Sequence, residues 1–212
     1  MHKIKDQLTH SYNAAAISRD RELKEDWKAE VRSRFLSLLV RENKTRLLEI
    51  GAGSGQDSVF FKEAGLNTFS TDLSPEAIRL CKEKGLKAEV MSFDSLTVPD
   101  GAFDAVWAMN CLLHCPKDDL PGVLEGIKRV LKPGGVFFMG VYGGNDSEGI
   151  WEGDFYEPKR FFALYTNERL REVLERHFKI ESFRCLAKEE LGRDLDFQGI
   201  TLRRSREPWA ST

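Results

Sequence analysis

The run Leu47-Leu48-Glu49-Ile50-Gly51-Ala52-Gly53-Ser54-Gly55 constrains the fold more than any other stretch of the chain. Apolar residues and one acid lead straight into three glycines at alternate positions. A buried strand that ends in such a turn lets a ligand's polar atoms lie against bare backbone, since glycine has no Cβ to hold them away. Further on, Thr68-Phe69-Ser70-Thr71-Asp72 reads as a second strand with an acid at its carboxyl end. A glycine-rich turn followed by such an acid is the nucleoside-binding arrangement of doubly wound α/β sheets. The carboxylate offers two acceptor oxygens, one for each ribose hydroxyl. Glycine spacing narrows the ligand, because G-x-G-x-G followed by Gln56 departs from the G-x-G-x-x-G of dinucleotide sites.

Strands and helices alternate from that point. The pattern predicts strands at 46–50, 68–72, 87–91, 103–109 and 136–142, the last mostly apolar as a central parallel strand requires. Helices are predicted over 57–64, stopped by Gly65, and over 120–131; another begins at Pro75 with Ser74 as its N-cap. Ahead of these, Leu23, Trp27, Val31, Phe35, Leu38 and Leu39 recur at helical spacing and predict an amphipathic helix packed on the sheet edge. The preceding Ser11–Ala16 segment is a candidate to close over a ligand. Periodicity is lost at 143–149, and an aromatic-rich stretch follows. Thr166 then caps a helix to about 176, and strands are expected at 178–186 and 198–204. The tail Glu207–Thr212 carries no readable pattern.

Four landmarks in order resemble the class I S-adenosylmethionine (SAM)-dependent methyltransferases over residues 46–142. The G-x-G-x-G turn is similar to their motif I, and Phe93-Asp94 follows the third strand. Phe103-Asp104-Ala105-Val106-Trp107 opens the fourth, and Leu131-Lys132-Pro133-Gly134-Gly135 precedes the fifth. The resemblance implies an α/β, doubly wound, mostly parallel seven-stranded sheet with an antiparallel last strand and helices on both faces. Residues 1–45 would form an N-terminal helical lid or edge segment. Residues 46–212 would form the Rossmann-like domain, with an acceptor-loop insertion at about 143–165.

The same resemblance assigns residues to SAM. Gly51, Ala52, Gly53 and Gly55 would admit its methionine and ribose portions. Glu49 would contact the cationic amino group, Asp72 the ribose, and Asp94 the adenine amine, with Phe93 and Leu73 against the ring. Met109 would line the cofactor floor. Tyr12 is either an aromatic closing over the methionine end or a surface tyrosine. The acceptor would sit above the fourth and fifth strands, among Asn110, His114 and Tyr142, next to the methyl. His114 is either a general base near neutral pH or a histidine bonded to backbone; Tyr142 is the second catalytic candidate. Trp151, Glu152 and Tyr156 interleave rings with acids and form a candidate acceptor site that suits an amine through cation–π and ion pairing.

Bulk properties limit the alternatives. The chain has 212 residues, 41% of them hydrophobic, and a net charge of -2, which gives no electrostatic case for a nucleic-acid or membrane partner. No apolar run approaches the roughly twenty residues of a membrane helix, and the opening Met1–Asp6 lacks a signal-like apolar core. Four cysteines without framework spacing point to a reducing, cytoplasmic setting. Cys111, His114 and Cys115 lack a fourth ligand and paired C-x-x-C spacing, so no metal is expected. The sequence reading is therefore a small-molecule methyltransferase, monomeric or homodimeric, that releases S-adenosylhomocysteine. Its alternatives are a non-catalytic SAM-binding regulator and, disfavoured by the glycine spacing, a nicotinamide-dependent oxidoreductase.

Overall fold

Residues 2–206 are described by the computed structural model, so the Glu207–Thr212 tail lies outside the described residues. The strands are β1 (Arg46–Ile50), β2 (Asn67–Asp72), β3 (Lys87–Val90), β4 (Phe103–Met109), β5 (Leu131–Gly143), β6 (Ser147–Ile150), β7 (Phe161–Leu164), β8 (Lys179–Leu186) and β9 (Asp196–Arg203). The helices are α1 (His2–Asp20), α2 (Asp26–Arg41), α3 (Gln56–Glu63), α4 (Pro75–Glu83), α5 (Leu120–Val130), α6 (Asn167–Glu175) and α7 (Lys188–Leu191). A single 3-10 turn, Leu112–His114, follows β4. Seven strands form one sheet in the order β3-β2-β1-β4-β5-β9-β8, and β6 and β7 pair separately. β1 to β5 pair in parallel, while β9 runs antiparallel to both β5 and β8. This is the mostly parallel seven-stranded sheet with an antiparallel last strand that the sequence predicts.

Alternation along each strand decides which helices it meets. Leu47 and Trp107 face α2 and α3, where Phe35, Leu39 and Phe61 complete one core. The Trp107 and Phe138 rings stack with centroids 4.3 Å apart. Leu48, Ile50, Val106 and Phe137 face the other way, onto Leu124 and Ile127 of α5 and Leu170 and Leu174 of α6. The expected caps are present: Ser74 Oγ accepts from Ala77 N–H at 3.0 Å, and Thr166 Oγ1 from Arg169 N–H at 3.2 Å.

Two stretches differ from the sequence expectation. α2 packs on the face of the sheet and not on its edge, because its apolar stripe finds the aromatic cluster over β4 and β5. Leu23 precedes that helix and is 96% exposed, so its place in the periodicity was coincidental. The 143–165 stretch contains the β6–β7 pair in register from Ser147 opposite Leu164 to Ile150 opposite Phe161. Its Gly-rich start hid a hairpin. No helix among the described residues is long and apolar enough to cross a membrane.

Sheet order positions the site. The chain leaves β1 toward β2 on one side and leaves β4 toward β5 on the other, so the connections after the paired ends of β1 and β4 diverge. The crevice between them is where open α/β sheets take ligands.

Candidate functional site

A cavity occupies that crevice. Ile50, Gly51, Gly53 and Met109 come to it from the strand ends, and Asp72, Leu73, Met91 and Phe93 line it from β2 and beyond. Leu8, Tyr12, Ala16 and Arg19 line it from α1. Their spacing of four, four and three residues places them on one face of that helix, a signal that sequence reading missed except at Tyr12.

Asp72 builds the turn that it faces. Its Oδ2 accepts from Gly53 N–H and its Oδ1 from Ser74 N–H, each at 2.8 Å. Burial raises its pKa above the ordinary carboxylate value, against the pull of those two bonds. Asn110, just past β4, has a left-handed backbone (φ 55°) and donates its N–H to Gly140 O at 2.7 Å. Its Oδ1 is buried without a partner among the described residues and belongs to a residue that lines the cavity. An orphaned acceptor costs free energy, and a ligand donor such as an ammonium group repays it.

Gly51 allows the turn to sit close to the start of the 3-10 turn. Its φ is +66°, and a Cβ there would lie 2.3 Å from Cys111 Cβ. Gly53, at φ +54°, has nothing within 4 Å of its would-be Cβ. Gly51→Ala is therefore expected to combine left-handed strain with overpacking and cost about 3 kcal/mol. Gly53→Ala is expected to cost about 1 kcal/mol from strain alone. Urea unfolding of both variants checks the difference, and equal losses would mean that Cys111 yields freely.

Several predicted residues stand away from the cavity. β-strand alternation turns Glu49 toward α3, where Ser58 Oγ donates to its carboxylate and also bonds Ser70 Oγ. Burial and the neighbouring Asp57 raise the Glu49 pKa well above the carboxylate range. Asp94 is held by Lys5 of α1 at 2.6 Å and by Ser92; despite partial burial, those partners keep its pKa low. Ala52 packs behind the turn against Ile78 and Cys81, and Gly55 occupies the N-cap of α3. Tyr142 faces Trp27 and Phe197, at ring separations of 6.5 and 5.8 Å. Trp151 is 43% exposed, Glu152 pairs with Lys159 at 3.5 Å, and neither lines the cavity. Tyr156 is buried behind Tyr12, its ring 5.8 Å away, and accepts from Arg19 Nη1 at 2.9 Å. The acceptor residues proposed from the insertion are thus not assembled around the crevice. Cys111 Sγ bonds Ile50 O and Cys115 Sγ bonds Pro116 O.

His114 lines the cavity and is 3% exposed. Its Nδ1 lies 2.7 Å from Phe161 O and its Nε2 2.6 Å from Tyr12 Oη. Burial lowers its pKa to about 3, so it is neutral at physiological pH. With both nitrogens engaged and the ring neutral, it is a poor base. Tyr12 Oη also accepts from Arg160 Nη1 at 3.0 Å. Neither Arg160 nor its buried partner Asp154 was legible as a site residue.

Residues 48–139 match a family model described as "Methyltransferase domain". Over 107 residues the chain is 38% identical to the sterol 24-C-methyltransferase of Aspergillus fumigatus, covering 46% of this chain and 27% of that protein. It is 31% identical over 116 residues to the ubiquinone biosynthesis O-methyltransferase of Xanthomonas oryzae pv. oryzae, covering 51% and 48%. The chain thus spans less than half the length of these curated relatives. Among solved structures it resembles the 1,6-didemethyltoxoflavin-N1-methyltransferase of Burkholderia thailandensis, which holds 1,6-didemethyltoxoflavin and S-adenosylhomocysteine. The TM-score is 0.74 at 22% identity, with 96% of this chain and 90% of that one covered, a likeness of fold.

Proposed function

We propose, on the match of residues 48–139 to a methyltransferase-domain model and on the sheet order, that the protein moves a methyl group from SAM to a small-molecule acceptor. The observation that carries this reading is the convergence of Asp72, the Gly51–Gly53 backbone and the orphaned Asn110 Oδ1 on one cavity. Asp72 suits the two ribose hydroxyls, and Leu73 and Phe93 the adenine faces. Asn110 Oδ1 suits the ammonium group of the amino-acid tail, in the role expected of Glu49. Arg19 at the mouth suits its carboxylate.

SAM brings a methyl group already made electrophilic by the sulfonium, and in-line displacement releases S-adenosylhomocysteine. The chain's own residues then orient, desolvate and exclude water, which supplies much of an acceleration of this kind. With both ring nitrogens engaged, His114 is not the group that takes the acceptor's proton, which leaves to solvent. α1 acts as the lid, since Leu8, Tyr12 and Ala16 close the cavity and Lys5–Asp94 and Lys84–Asp20 tie the helix down. Four free cysteines support a cytoplasmic setting.

Calorimetric titration with S-adenosylhomocysteine is the test. Binding in the micromolar range, with no heat from NAD, is expected. The liganded protein should also resist proteolysis within residues 2–25 more than the free protein. Heat from NAD alone would replace this reading with the oxidoreductase one.

A further inference from the structure

The acceptor end of the cavity is governed by a buried chain of hydrogen bonds whose direction is fixed at one end by a backbone carbonyl. Phe161 O can only accept, so the His114 Nδ1 that lies 2.7 Å from it carries the proton. In the neutral ring Nε2 is then an acceptor, so the Tyr12 hydroxyl 2.6 Å away must donate to it. Tyr12 has one proton and has now used it. Arg160 Nη1 occupies one of its lone pairs from 3.0 Å. What remains to Tyr12, a residue that lines the cavity, is one oxygen lone pair and no donor.

Arg160 is built to hold that arrangement. Its Nε and Nη2 grip Asp154 at 2.8 and 2.7 Å, which leaves Nη1 for Tyr12. Arg160 and Asp154 are 8% and 7% exposed. The guanidinium lies 3.7 Å from the Tyr156 ring centroid and 5.2 Å from that of Phe162. Desolvating such a pair is costly unless its geometry is good, and three donors on one planar fork meet that condition where a lysine cannot. The same segment meets α1 twice more, through Ser11 Oγ to Pro158 O at 2.5 Å and Arg19 Nη1 to Tyr156 Oη.

We propose that Arg160, clamped by Asp154, is a positioning residue that keeps Tyr12 Oη acceptor-only toward the cavity, so that the site takes methyl acceptors presenting an N–H or O–H donor there. Amines, alcohols and phenols fit that demand; a carboxylate or thiolate would set lone pair against lone pair. The choice of acceptor class rests on the methyltransferase reading, whereas the polarity of the network does not. Trp151 and Glu152 have no part in it.

Two measurements test this. In protein labelled with [15N]histidine, the His114 ring should remain the neutral Nδ1–H tautomer from pH 5 to 8. Tyr12→Phe should shift its Nε2 signal by removing the donor, and Arg160→Gln and Arg160→Lys should shift it the same way. An Nε2–H tautomer in the wild type, or a folded Arg160→Gln with an unchanged Nε2 signal, would overturn the proposal. Tyr12→Phe keeps the packing, so it decides the matter if the Arg160 variants do not fold. The second measurement compares sinefungin, whose amine-bearing carbon replaces the sulfur, with S-adenosylhomocysteine. The wild type should prefer sinefungin about tenfold, the size of one charged hydrogen bond, and Tyr12→Phe should lose that preference. No preference in the wild type would refute the acceptor-only oxygen. Expected histidine spectra without binding of either nucleoside would instead strike the methyltransferase reading and leave the network standing.

Discussion

Asp72→Ala is expected to weaken S-adenosylhomocysteine binding by two to three orders of magnitude. An ionised carboxylate that accepts from two ribose hydroxyls makes two charge-assisted bonds, each worth about 1.5–3 kcal/mol. Losing both in a desolvated crevice costs about 3–4 kcal/mol, or roughly 100- to 1,000-fold in Kd. Part of the loss is indirect, since the same oxygens hold Gly53 N–H and Ser74 N–H at 2.8 Å. Asp72→Asn separates the two contributions, because one amide oxygen still accepts from one of those backbone groups while the charge is gone. It should lose about half as much free energy as alanine. Wild-type affinity should also fall on acidification at a higher pH than for an ordinary carboxylate, since burial raises the Asp72 pKa. Calorimetry across the variants reads all of this. An alanine variant that binds within threefold of the wild type would remove the ribose from Asp72.

The strand-end lining of the cavity was legible because its placement is local. Gly51, Gly53, Asp72, Leu73, Phe93 and Met109 sit at or near strand ends, and the sheet delivers strand ends to the crevice whatever else the chain does. Glu49 shows the limit of that logic. It directly precedes Ile50, which lines the cavity, and strand alternation therefore turns its side chain to the opposite face, toward Ser58. Asp94 stands off the cavity lining for a different reason: Lys5, 89 positions earlier in the chain, pairs with it. Nothing in the sequence near Asp94 announces that partner.

The side of the cavity that faces His114 was hardly legible. Trp151 and Glu152 suggested a site because rings alternate with acids, but both follow β6 in an exposed turn, Trp151 43% exposed. Arg160, within the same stretch, carries no signal of its own in the sequence. Its burial depends on Asp154, Tyr12 and three further rings that converge only in the folded chain. The long-range contacts of α1 could not be read either. Its polar and charged residues mask a lining face of Leu8, Tyr12, Ala16 and Arg19 that meets a ligand cavity and not a conventional core.

Glu49→Gln is expected to stabilise the protein, and increasingly so as pH rises. Glu49 is 3% exposed, and burial followed by repulsion from Asp57 moves its pKa from 4.5 up to about 8. Asp57 itself is held by Lys24, Arg32 and Trp107 Nε1, so the cations nearest Glu49 are already engaged. Below pH 4.5 both folded and unfolded chains carry the Glu49 proton, and the residue has no pH-dependent effect. Between pH 4.5 and about 8 the unfolded chain releases that proton while the folded chain keeps it, so stability declines through this window. The upper bound on that decline is about 1.4 kcal/mol per pH unit. Glutamine is nearly isosteric, keeps a carbonyl for Ser58 and does not titrate. The variant should therefore match the wild type near pH 4 and exceed it by about 2 kcal/mol at pH 8, in urea unfolding at both values. A variant less stable than the wild type at pH 8 would mean that Glu49 is ionised in the native state and draws on Lys24 or Arg32. S-adenosylhomocysteine affinity provides the second readout. Glu49 stands off the cavity, so the variant should bind within about threefold of the wild type, whereas a residue holding the ligand's ammonium group directly would cost tenfold or more.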